Sequence, residues 1–283
     1  MVSPLPRDPL LLPDAEAWAS IGLVCGEELH GGHQSRVFAA TSDGQPVVVK
    51  LTDGRFIDET HKRRLEVVSK LAAMDHRVVG PLPFPSGLSA EQRGWLIAKY
   101  PVAAGRRPNT RDENDVRTMA TVLAGLHRSL AELDPLDLPL VAPLDGIELP
   151  ATLCGPSQLL HGDFSDANML LDGALAHVVD FDGCGRGPVE YEVGDTLYMV
   201  LFDATISADL DRYERFRTWF VGEYRTASKL PVTEAALDAA IDLRVAALER
   251  WLARPETAPI GIRAASPEWH EVLRSFISST RAR

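Results

Sequence analysis

The sequence predicts an α+β fold of two lobes. Residues 1–100 form a β-rich N-terminal lobe with one main helix, and residues 101–283 form a mostly α-helical C-terminal lobe. Three observations predict this. Short β-type runs separated by glycine fill residues 25–50, whereas long segments of helical apolar period dominate after residue 115. Between them, PVAAGRRPNTRDEND from Pro101 is rich in Pro, Gly and charge and reads as a hinge. One island of β pattern, residues 159–182, interrupts the helical part.

The elements follow in order. Residues 1–20 are a proline-rich lead into a short helix. GEELHGGHQ, RVFAAT and PVVVKLT are β-type runs, and the turn Ser42-Asp43-Gly44 makes a hairpin of the last two. Residues 58–74, DETHKRRLEVVSKLAAM, place Leu65, Val68, Leu71, Ala72 and Met74 near one face of an amphipathic helix. The loop VVGPLPFPSG leads to WLIAKY, a strand. VRTMATVLAGLHRSLAEL is the clearest helix, and the last hundred residues read as helices broken near Pro231 and between Pro255 and Pro259. No internal repeat or low-complexity segment appears, which removes solenoid architectures.

Of the 283 residues, 45% are apolar and 24% charged, as in a soluble globular protein. The apolar run Leu10 to Leu12 is bounded by Pro9 and Pro13, so neither a signal peptide nor a transmembrane segment is expected. Cys25, Cys154 and Cys184 are far apart and odd in number, which reads as reduced thiols in a cytoplasmic protein. With 24 Arg, 5 Lys and a net charge of −11, counterion release offers nothing and nucleic-acid binding is disfavoured. The acidity serves solubility, or in a sharper reading lines a pocket for a cationic substrate.

The chemistry sits in the island QLLHGDFSDANMLLDGALAHVVDFDGCGRGP. Asn168 to Leu171 and Leu175 to Asp180 read as strands joined across Asp172-Gly173, with paired residue numbers summing to about 345. That register sets Asp180 opposite residues 165 or 166 and gathers Asp163, Asn168 and Asp180 at the open end. Carboxylate and carboxamide oxygens suit magnesium. Asn168 and Asp180 are therefore the expected metal ligands and Asp163 the base that positions a nucleophilic hydroxyl, a division of labour that fits phosphoryl transfer. His161 is expected to brace the loop. Asp182 is either a supporting or second metal ligand or a solvated loop residue. His127 is expected to be a packed or capping residue, and Trp219, Trp251 and Trp269 core rather than substrate walls.

With HGDFSDAN as catalytic loop and VVDFDGCGRGP as metal-binding motif, the sequence resembles the aminoglycoside phosphotransferase and choline kinase superfamily, which has a protein-kinase-like fold. The resemblance runs in order over roughly residues 20–200 and also covers LAGLHR at Leu123 to Arg128. It implies a kinase using ATP and Mg²⁺, with Lys50 on the α- and β-phosphates and Glu66 as its helix partner, Glu59 competing. It implies a phosphate-covering loop in GGHQSRVFAA, where Gly31 and Gly32 allow close backbone approach and Ser35 and Arg36 touch phosphate. It places adenine on backbone groups near Ala98 and Tyr100, a mode with no side-chain signature, so GTP stays as open as ATP. Asp195, in GDT, is the residue expected to brace the catalytic loop.

Only six residues separate Asp180 from Gly187-Pro188, with no APE motif, so no activation segment exists to dock a peptide and a protein kinase is disfavoured. A catalytically inactive nucleotide-binding regulator would need a broken catalytic set, and a metal hydrolase would need more His and carboxylate ligands. The expected partner is a small-molecule hydroxyl acceptor. Glu190, Glu192, Asp195, Asp203, Asp209, Asp211, Glu214 and Glu223 favour a cationic antibiotic if they face the cleft; the alternative is a metabolite such as choline, homoserine, a sugar or methylthioribose.

Overall fold

In PVVVKLTD, side chains alternate between two faces because a strand repeats every two residues. Val47, Val49 and Leu51 enter the N-terminal core with Trp18, Phe38, Trp95 and Ile97, and Lys50 and Thr52 face the cleft between the lobes. The computed structural model describes residues 10–29, 35–57, 59–135, 137–153, 155 and 157–282. Helix α1 (Ala15–Ser20) precedes strands β1 (Leu23–Leu29), β2 (Ser35–Ser42) and β3 (Gln45–Asp53); helix α2 (Glu59–Met74) precedes β4 (Ala90–Gln92) and β5 (Trp95–Pro101). The five strands form one antiparallel sheet in the order β1-β2-β3-β5-β4. The β2–β3 turn is the expected one, with Asp43 and Gly44 both at positive φ, 52° and 75°, as a two-residue hairpin requires.

Helix α2 buries Val67, Val68 and Leu71 against the C-terminal core. Met74, expected on that face, is instead 48% exposed at the helix end. The C-terminal lobe contains α3 (Glu113–Ala131), α4 (Val189–Ile206), α5 (Leu210–Ser228), α6 (Glu234–Ala253), α7 (Ile260–Arg263) and α8 (Pro267–Arg281). Asp112, Thr233 and Ser266 accept the free backbone N–H groups that open α3, α6 and α8. Helix α4 is buried along most of its length, from Val189 to Leu201, and packs on α5, α6 and α8.

The β island is two small ladders. Strand β6 (Ser157–Leu160) pairs with β9 (Gly185–Pro188), an element the sequence pattern did not suggest, and β7 (Met169–Asp172) pairs with β8 (Leu175–Val178). The β7–β8 register differs from expectation. Met169 faces Val178 and Asp172 faces Leu175, so the turn is Gly173-Ala174, one residue later than Asp172-Gly173. Gly173 takes φ 59°, and the later turn shortens β8 by two residues, leaving Asp180 beyond the ladder. Strand β9 runs directly into α4 through Pro188.

Candidate active site

The loop 161–168 is held from behind. His161 is fully buried; its Nε2 meets the Val179 carbonyl at 2.9 Å, its Nδ1 accepts the Asp163 N–H at 3.3 Å, and its ring packs on Phe181 at 4.3 Å. Burial disfavours a charged imidazole and lowers its pKa despite nearby carboxylates. Gly162 sits at φ 84°, and a Cβ there would lie 2.0 Å from the Gly183 carbonyl oxygen. Only glycine lets the 161–163 and 180–184 backbones meet this closely.

The brace itself is Glu192. Its carboxylate accepts the backbone N–H groups of His161 (3.1 Å) and Gly162 and lies 2.8 Å from His127 Nε2, while His127 Nδ1 meets the Tyr224 hydroxyl at 2.7 Å. Thr196 Oγ1 donates to the Phe164 carbonyl at 3.0 Å. Burial would raise the Glu192 pKa, but the hydrogen bonds from His127 and the loop hold it below the usual carboxylate value. Asp195 does not brace the loop, contrary to expectation. One α-helical turn from Glu192, its carboxylate takes Arg244 Nε at 2.8 Å. Arg244 lies over the Tyr198 and Trp251 rings. His127 is packed as expected, about one turn before the end of α3 rather than at a cap. Trp251 is buried, and Trp269 is 44% exposed.

At the front of the loop, Asn168 Nδ2 donates to the Asp163 carbonyl (2.8 Å) and to Asp163 Oδ2 (3.0 Å). This turns the Asn168 amide oxygen away from Asp163. Surrounding protein, with Asp195 and Asp180 adding negative charge, pushes the Asp163 carboxyl up to about 7. Asp180 occupies the left-handed region at φ 63°, ψ 68°, a strained conformation for a residue with a side chain. Its Oδ1 takes Lys50 Nζ at 2.7 Å, and Asp182 Oδ2 takes the same nitrogen at 2.7 Å. Burial opposes ionisation of Asp180, and Lys50 outweighs it, so its pKa falls below the ordinary value.

The N-terminal candidates divide. Lys50 reaches the cleft, but Glu66 is exposed on α2 and is not its partner; the cleft side of that helix presents His61, Arg64, Leu65 and Val68. Glu59 is exposed as well. Periodicity marks an apolar face without saying which polar flank the sheet will cover. Arg36 is tied by two hydrogen bonds to Glu28 on β1 and lies over Phe38, so it is committed within the sheet. Ser35 opens β2 opposite Thr52. Gly31 and Gly32 lie outside the described residues.

Nor is the backbone of Ala98 and Tyr100 open to adenine, contrary to expectation. The Lys99 carbonyl accepts from Leu82, so the backbone groups of Lys99 point away from β3. Those of Ala98 and Tyr100 therefore point into the β3 ladder, opposite Lys50 and Val48, and are not free for a base. Their side chains line the cleft instead. Strand β5 ends at Pro101.

Sequence reasoning named Glu192 only as a cleft acid, missing its role on the loop, and missed Arg244 and Arg64. One signal was available for the first. In VEYEVGDTLYMVLF the surroundings are too apolar for every acid to face water, and a buried carboxylate requires donors. Nothing in the sequence pointed to Arg244 or Arg64, whose partners lie 49 and 120 residues away.

The β-rich N-terminal lobe, the helical C-terminal lobe and the lysine in the cleft between them make a protein-kinase-like fold. Residues 147–230 match the profile of the phosphotransferase enzyme family, APH. The chain has the fold of an amicoumacin kinase solved with AMP-PNP, Ca²⁺ and Ami (15% identity, 91% of this chain and 87% of that one, TM-score 0.67). It is also similar to a microcompartment-associated aminopropanol kinase (17%, 90% and 89%, 0.62) and to choline kinase from Cryptosporidium parvum (8%, 91% and 88%, 0.59). No curated protein sequence matches it. The profile match over the catalytic segment and the shared fold agree with the resemblance to the aminoglycoside phosphotransferase and choline kinase superfamily that the HGDFSDAN and VVDFDGCGRGP motifs carry.

Proposed function

We propose that the protein transfers the γ-phosphoryl group of ATP, with magnesium, to a hydroxyl of a small molecule. The observation that carries this reading is the juxtaposition of Asp163, its carboxyl poised near 7, with the Asn168 amide and with Lys50 bridging to Asp180 and Asp182. In this reading Lys50 holds the phosphates. Asp163 orients the acceptor hydroxyl and accepts its proton as transfer proceeds, because a loose transition state needs positioning more than early deprotonation. Asn168 and Asp180 would hold magnesium. Their donors are hard oxygens, and the carboxylates of Asp180 and Asp182 against Lys50 leave surplus negative charge, which fits a divalent cation. Bound magnesium would neutralise the transferring phosphates. The complete set argues against an inactive nucleotide-binding regulator.

The choice of a cationic antibiotic as acceptor rested on the acids of residues 190–223, and their geometry weakens that support. Glu192 serves the loop, Asp195 pairs with Arg244, Asp209 with Arg111, Glu223 with Arg117, and Asp203 lies 3.6 Å from Arg212. Glu190 is buried, and Asp211 and Glu214 remain exposed. A small-metabolite hydroxyl, as in the choline and aminopropanol kinases that share the fold, stands beside the antibiotic as an equal arm of the test. No helix among the described residues is long and apolar enough to cross a membrane; ATP use and reduced cysteines fit a cytoplasmic place. The test is mass spectrometry of purified protein with Mg-ATP and a panel of aminoglycosides, basic peptide antibiotics and neutral or amino-alcohol metabolites, with Asp163→Asn as blank. A phosphoryl-sized mass gain absent from the blank identifies the acceptor. ATP binding without gain on any acceptor, together with an Asp163→Asn variant indistinguishable from wild type, would count against the reading.

A further inference from the structure

We infer that Asp182 positions Lys50 for the nucleotide phosphates, in the place that a carboxylate on helix α2 was expected to fill; this rests on the kinase reading above. A lysine that must meet phosphate needs a fixed carboxylate partner, because its four-carbon stem is flexible and a single unordered ion pair contributes little. Helix α2 supplies none. Glu59 and Glu66 are exposed, and the residues it turns toward the cleft include Arg64, a positive group. Arg64 Nε donates to the Cys184 carbonyl at 2.8 Å, so the helix grips the 180–184 segment directly. Among the described residues two carboxylates reach Lys50 Nζ, Asp180 and Asp182, each at 2.7 Å.

These two partners are not equivalent. Asp180 is the carboxylate that, with Asn168, suits the magnesium ion, and an oxygen that coordinates a cation is a poorer partner for a second one. Asp182 is then the acid left to hold the lysine once Mg-nucleotide is bound. Lys50 side-chain exposure is 12% and that of Asp182 is 43%, so the ammonium end of the pair is sheltered while the carboxylate keeps an open side toward the cleft. The consequence is that the lysine anchor and the metal ligand share one short segment of the C-terminal lobe. Lys50 therefore reaches its working position only when the two lobes are in register, since no carboxylate among the described residues of the N-terminal lobe anchors it.

The test is a double-mutant cycle read by calorimetric binding of Mg-AMP-PNP to the full chain, which requires no acceptor. Asp182→Asn should weaken binding about three- to tenfold in the native background and less than about twofold in Lys50→Met, the signature of coupled contacting residues. Glu66→Gln should bind as wild type does. A second readout is independent of nucleotide and metal: in EDTA, an amine-reactive reagent followed by peptide mass spectrometry should label Lys50 faster in Asp182→Asn than in wild type or Glu66→Gln. An Asp182→Asn effect of equal size in both backgrounds assigns Asp182 to the metal or to loop structure and overturns the proposal. So does a Glu66→Gln effect matching that of Asp182→Asn in both measurements. If wild type binds no Mg-nucleotide while the labelling difference holds, the kinase reading fails and the ion pair stands.

Discussion

Replacing Glu192 by Gln tests how the catalytic loop is held. The carboxylate receives three donors: the N–H groups of His161 and Gly162 and His127 Nε2. Its side chain is 2% exposed, so no water replaces a lost partner. An amide of the same shape turns its NH₂ toward at least one of these donors. Leaving one buried donor unpaired costs about 1–3 kcal/mol, and exchanging charge-assisted for neutral bonds at the others costs about 1 kcal/mol more. The expected loss is about 2–4 kcal/mol, or a Tm lower by about 4–15 °C for a chain of this size. The pH dependence carries a sign. The folded Glu192 carboxyl lies below its ordinary 4.5, because the hydrogen bonds outweigh burial. Its contribution is thus complete above that value and lost as pH falls through the depressed one. Calorimetric scans of both proteins from pH 7 downward should show a wide gap that closes in acid. A variant within 1 °C of wild type at pH 7, or a gap that widens on acidification, refutes the bracing argument.

Other outcomes follow from the same geometry. Asp163→Asn should lower phosphoryl transfer by about 10²–10⁴ while Mg-nucleotide binding changes little, measured by acceptor mass gain and by calorimetry. Gly162→Ala forces a Cβ against the Gly183 carbonyl at positive φ, so the variant should lose about 3 kcal/mol or more in urea unfolding, with no rescue by added nucleotide. Arg244→Met leaves Asp195 buried without its guanidinium partner and should cost about 3–5 kcal/mol, most of it recovered in Arg244→Met/Asp195→Leu. If the double variant is as unstable as the single one, the pair is not the source of the loss.

The order of elements was legible because each depends on local patterns. The alternation in PVVVKLTD, the Asp-Gly turn, the helical period of α3 and the spacing His161–Asp163–Asn168–Asp180 are all written within a few residues of one another. The same locality brought Asp163, Asn168 and Asp180 to one end of a hairpin even though the register was two off: the open end of the ladder is the same in either register, and only the turn position differs. The partners were not legible. Whether Lys50 meets Glu66 or Asp182, or whether Asp195 or Glu192 grips the loop, depends on which side of α2 the sheet covers and how α4 is rotated against the loop. One residue of rotation along a helix is 100°, and three residues make most of a turn, so acids at 192 and 195 look alike in sequence yet meet different groups. By itself the sequence determined the β-rich and helical lobes and the oxygen-rich loop, since these follow from short-range backbone preference and apolar period. The tertiary structure alone decided which charges pair, because ion pairs spanning 49 to 132 residues form where packing places them.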